Sequence, residues 1–193
     1  GSDGPSGDFH FIAGDGTLVS RSIGGYIGAI GSAGDPGDQF RVYYLTADLP
    51  ASIAVYPLLA DTAVLDGLPL VLLDQDRNAR VANVDFVSKA LGLKTAVFEQ
   101  PLTSPRGVYY ENTVGGDSGS PVFAVRGDQL LYAACVTSGV NQPGSGPLAL
   151  GYIAQIMAAC RALDTAATGY LPTLYRLSSG AAARARSIGE MTR

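Results

Sequence analysis

The 193-residue chain balances 13 Lys and Arg against 17 Asp and Glu, a net charge of −4, and 47% of its residues are hydrophobic. That suits about one to one and a half ordinary domains with a packed core, and it lacks the basic footprint that nucleic acid requires. One histidine and two cysteines without short ligand spacing supply no zinc site, so neither metal nor cofactor is expected, and no apolar run reaches the ~18 residues of a membrane-spanning helix.

Residues 1–8, with neither a basic start nor an apolar stretch, read as a flexible lead rather than a signal peptide. FHFIAG at 9–14 and TLVSRSI at 17–23 flank Asp15-Gly16, the turn chemistry of a β-hairpin. Alternation sets Phe9 and Phe11 on one face of the first strand and His10 on the other. GSAGDPGD at 31–38 is a loop. Strands are then expected at 40–45, 52–59, 68–74 and 79–87, followed by 94–100, 107–113 (GVYYENT), 121–126 and 129–139. The last two are joined at a Gly127-Asp128 turn. Short strands, 25 glycines and 11 prolines predict an all-β sandwich or barrel. The exception is YIAQIMAACRAL at 152–163, where Ile153, Ile156, Met157, Cys160 and Leu163 recur at helical spacing. Residues 176–193 read as a tail.

The segment with chemistry in it is Gly115-Gly116-Asp117-Ser118-Gly119-Ser120-Pro121. A serine attacks a carbonyl only when a base removes its proton and N–H groups meet the charge that develops on the substrate oxygen. Glycines on both sides let the chain bend sharply around Ser118, and Pro121 opens the next strand. An α/β-hydrolase elbow is a further reading, disfavoured because a β-hairpin rather than a long helix follows the serine and no βαβ units surround it.

The string GGDSGSPVF, followed by a hairpin and then VTSG, resembles the nucleophile segment of chymotrypsin-like (trypsin-fold) serine endopeptidases of bacterial type. The resemblance implies a double β-barrel with a C-terminal helix spanning residues 9–175, and a peptide or protein as substrate. It implies Ser118 as nucleophile, the amides of Gly116 and Ser118 as oxyanion hole, and Asp117 as the buried acid that sets the loop. Asn112, Ser138 and Gly139 fall at positions that line the substrate pocket in that family, and the neutral Asn112 selects no basic side chain. A secreted or periplasmic location follows from the resemblance alone. Cys135 and Cys160 permit one disulfide or two buried thiols.

The sequence also departs from the family. Its only histidine is His10, outside any segment that resembles the catalytic-histidine motif, so His10 reads either as an ordinary strand residue or as a base. Asp38, ahead of the strand FRVYYL, is the candidate histidine-orienting acid, although strict register places Gln39 there. With 37 residues before Asp38, the first barrel is expected to be incomplete and the histidine segment missing. This chain alone is therefore expected to be inactive, either as the partner of an upstream histidine or as a non-catalytic peptide-binding relative.

Overall fold

A computed structural model describes residues 7–31, 33–60, 65, 67–87, 95–101 and 105–176; most of the expected lead and nearly all of the expected tail lie outside these residues. The described residues divide into two compact units, those of 7–56 with 152–172, and those of 57–151 with 173–176.

The first unit contains an antiparallel sheet of β1 (Asp8–Ile12), β2 (Leu18–Ile27) and β3 (Val42–Leu45), in that order. The hairpin forms as its turn residues require, with Gly16 at φ +85° and His10 opposite Ser20. Phe9 and Phe11 are half-buried and His10 is exposed; Phe9 meets Tyr43 edge-on at 4.9 Å. The 31–38 loop contains a 3₁₀ turn, Pro36–Gln39, capped by the Asp35 carboxylate. Helix α1 (Ile153–Leu163) packs on β2 and β3, and its Ile156 and Ala159 are buried. Tyr152, fully buried ahead of the helix, accepts a hydrogen bond from Gly37 N–H at 2.8 Å and donates to Asp35. Burial first, and then the Asp35 acceptor, push the Tyr152 hydroxyl pKa well above its ordinary value.

The second unit holds β4 (Leu58–Leu59), β5 (Pro69–Leu73), β6 (Ala79–Val87), β7 (Thr95–Glu99), β8 (Pro121–Arg126), β9 (Gln129–Cys135), β10 (Ser145–Pro147) and β11 (Leu174–Tyr175). They form a mixed, partly curled sheet in the order β10-β7-β6-β5-β8-β9-β4-β11. The antiparallel β8–β9 hairpin turns at Gly127, φ +59°. Ser138, beyond β9, bridges Ser145, and Ala134, within β9, bridges Leu148. Pairing therefore runs from the β9 side to β10, then through β7, β6, β5 and β8 back to β9. Leu59, Leu70, Val84, Phe98, Val122, Leu131 and Leu148 fill the interior, and burial of each such side chain is worth about 1.5–3 kcal/mol.

Two strand expectations are corrected. GVYYENT at 107–113 is not a strand. The chain turns as a 3₁₀ helix at Pro105–Tyr109, with Tyr110 N–H bonded to the Gly107 carbonyl. Val108 and Tyr109 are 80% and 66% exposed; β-favouring side chains that point into solvent gain nothing from a pleated surface. The 52–59 segment contributes only Leu58–Leu59, since Pro57 interrupts it and Val55 and Tyr56 are exposed. Both cysteines are free thiols, Cys135 buried and Cys160 half-buried. No helix among the described residues is long and apolar enough to cross a membrane.

Candidate functional site

The site grows from the turn between β5 and β6. Asp74 closes that turn, accepting from Asn78 N–H at 2.8 Å and from Asn78 Nδ2 at 3.2 Å. Burial alone raises the Asp74 carboxyl, but the Asn78 hydrogen bonds and the Arg80 charge outweigh it and hold the group below its ordinary value.

Arg80 then enters β6 on the inward register, in line with the buried Ala82 and Val84 and opposite Leu72. A charge on that face is costly unless it is paired. Its guanidinium is surrounded by acceptors: Nη2 lies 2.7 Å from Asp74 Oδ2, and Nη1 donates to Asp117 Oδ2 at 3.3 Å and to the Asn112 carbonyl at 2.9 Å. Nε lies 3.3 Å from the exposed Glu111 carboxylate.

Asp117, 2% exposed, fixes the serine loop. Its Oδ2 also accepts from Val114 N–H at 2.8 Å, and its Oδ1 from Gln75 N–H at 3.3 Å. The loop backbone closes on itself through Asp117 N–H to the Val114 carbonyl and Ser120 N–H to the Asp117 carbonyl. It is tied to the residue after β9 by Gly119 N–H to the Val136 carbonyl (2.7 Å) and Val136 N–H to the Ser120 carbonyl (2.9 Å). Gly116 at φ +107° and Gly119 at φ +90° make the bends on either side of Ser118, backbone that only glycine adopts cheaply. Ser118 is exposed. Among the described residues, the N–H groups of Gly116 and Ser118 and the Ser118 hydroxyl take part in no hydrogen bond.

The pocket candidates lie in the same unit. Asn112 is exposed and accepts from the Tyr110 hydroxyl. Ser138 Oγ meets Ser145 Oγ at 2.6 Å, and Gly139, φ +111°, accepts the Thr113 hydroxyl. Thr113 is hydrogen-bonded to both Asn141 and Gln142 through its backbone, so the segments holding Asn112 and Gly139 are stitched directly together. Of the first-unit candidates, His10 Nδ1 is 2.8 Å from Ser20 Oγ, while the Asp38 carboxylate accepts from Gln39 Nε2 and Gly34 N–H.

No protein-family model matches the chain, and no curated protein matches it. The site must therefore be read from its own residues. Arg80, Asp74 and Gln75 were missed in the sequence, although one signal for Arg80 was present: a lone charge at an inward position of an alternating strand needs a buried counter-charge.

Proposed function

We propose that this chain carries the nucleophile and oxyanion-binding parts of a serine endopeptidase of the chymotrypsin-like kind. The observation that carries the proposal is an exposed Ser118 whose loop is held by a buried Asp117, with the Gly116 and Ser118 N–H groups left without partners among the described residues. The six-strand circuit of pairing through β5 to β10 supports reading the second unit as one barrel of that fold, with the small sheet as what this chain holds of the other. The substrate class is a peptide or protein, and a secreted or periplasmic site of action rests on resemblance alone.

In this reading, Ser118 Oγ bonds to the scissile carbonyl carbon while its proton passes to a base, and the oxygen takes up charge facing the two N–H groups. Collapse breaks the C–N bond as the proton passes on to the leaving amine. Water then attacks the acyl-enzyme and releases the acid. His10 is a poor source of the base. Its Nδ1 is engaged by the Ser20 hydroxyl rather than by a carboxylate, and an imidazole without an acid partner is neither oriented nor stabilised as a cation. That observation favours a second reading, a protease-like module that binds peptide without cutting it.

The test is labelling with a fluorescent fluorophosphonate alongside turnover of a fluorogenic peptide library, for wild type, Ser118→Ala and His10→Ala. Slow label on Ser118, with negligible turnover unaffected by His10→Ala, is the expected result. Robust turnover abolished by both substitutions would make His10 the base. Absence of label on Ser118 leaves the binding module.

A further inference from the structure

Among the described residues Gly116 N–H has no partner, and nothing in a Gly-Gly sequence fixes which way it faces. The peptide joining Gly115 to Gly116 lies between two residues that tolerate either sign of φ, so rotating the plane costs little sterically. A trans peptide carries its carbonyl oxygen and its N–H on opposite edges. Whatever holds the Gly115 oxygen thereby aims the Gly116 N–H.

Gln75 meets that requirement. It sits in the β5–β6 turn, its backbone N–H donating to Asp117 Oδ1, so it is anchored to the acid that organises the loop. Its side-chain Nε2 donates to the Gly115 carbonyl at 3.3 Å. A Cβ built on Gly116 would fall on Gln75 Oε1, so the carboxamide packs directly against Gly116.

We infer that Gln75 is a positioning residue whose carboxamide grips the Gly115 carbonyl and thereby keeps the Gly116 N–H presented to an incoming carbonyl oxygen. The inference rests on the serine-hydrolase reading only for its catalytic consequence; the orientation of the peptide can be tested without it. It also gives the β5–β6 turn a function, since Asp74, Gln75 and Arg80 together hold the serine loop from one short stretch of chain.

The test compares the whole chain with its Gln75→Met and Gln75→Glu variants, which keep the side chain's length and remove its N–H donor. In ¹⁵N-glycine-labelled protein, the Gly116 amide signal should shift and broaden or double in both variants, while that of Gly119, bonded to Val136, stays in place. The rate of Ser118 labelling by a fluorophosphonate should fall about tenfold or more, part of the ~10²–10³ that complete loss of one oxyanion donor costs. A merely space-filling Gln75 would leave the Met variant like wild type in both readouts, and that result overturns the inference. So does a Gly116 signal that is unchanged in both variants, whatever the labelling does. If wild-type Ser118 takes no label, the serine-nucleophile reading fails, and the Gly116 signal alone decides the role of Gln75.

Discussion

Arg80→Met should be among the most damaging single substitutions in the second unit. Arg80 is 8% exposed and Asp117 2%, so methionine fills the volume but leaves the Asp117 carboxylate buried without its cation. Breaking one side of a buried pair costs about 3–5 kcal/mol, a large share of the roughly 5–15 kcal/mol that stabilises an ordinary domain. The neighbouring Arg80–Glu111 contact provides the internal comparison. Its carboxylate is 67% exposed, and pairs of that kind contribute about 0–1 kcal/mol, so Glu111→Gln should be nearly silent. Urea unfolding at pH 7, followed by circular dichroism because the chain has no tryptophan, measures both. Adding Asp117→Asn to Arg80→Met should recover part of the loss, since asparagine still accepts from Val114 or Gln75 and no longer buries a charge. A loss below about 1 kcal/mol for Arg80→Met, or an equal loss for Glu111→Gln, would refute the claim that this pair anchors the loop.

Three further outcomes are expected. In Gly146→Ala the new Cβ would fall on the backbone oxygen of Cys135, costing about 1–3 kcal/mol; amide exchange at Thr137 and Ser145 should quicken, and unchanged exchange would mean that β10 is not held by this seam. The Asp74 carboxyl sits below its ordinary value of 3.8, so the unfolded chain takes up that proton first as pH falls. Its stabilisation is present above that range and lost below it, and Asp74→Asn should flatten the fall of Tm between about pH 5 and pH 2. Burial pushes the Cys135 thiol up to about 11 and raises Cys160 as well. Iodoacetamide at neutral pH should therefore reach half-buried Cys160 first and Cys135 only after unfolding, as peptide mass mapping would show.

Local rules read the elements well where the local signal and the tertiary setting agree. Asp15-Gly16 and Gly127-Asp128 both make hairpin turns because glycine supplies a positive φ there, at +85° and +59°. The 152–163 stripe becomes a helix because its apolar spacing finds a sheet to cover. Failures occur where a partner decides the outcome. Val108 and Tyr109 favour strands, but their side chains stay exposed on a 3₁₀ turn that pairs in no sheet. Ser145-Gly146-Pro147 pairs with β7 as a strand despite poor propensity, and Gly146 lets its backbone also come close to Cys135.

The serine loop divides along the same line. Its bends were legible, since Gly116 and Gly119 are required by the backbone itself. What holds those bends was not, because Asp117 is bonded to groups about 40 residues upstream, at Gln75 and Arg80. Glycine gives the Gly115–Gly116 peptide the freedom to turn but no reason to stay in one orientation. A sequence motif can record that freedom and leave the restraint unwritten. The restraint comes from a turn whose residues, Asp74-Gln75-Asp76-Arg77-Asn78, read locally as ordinary polar surface. The serine loop is therefore as well ordered as its distant clamp, and, on the proposed nucleophile reading, substitutions in the β5–β6 turn should change the reactivity of Ser118 without touching it.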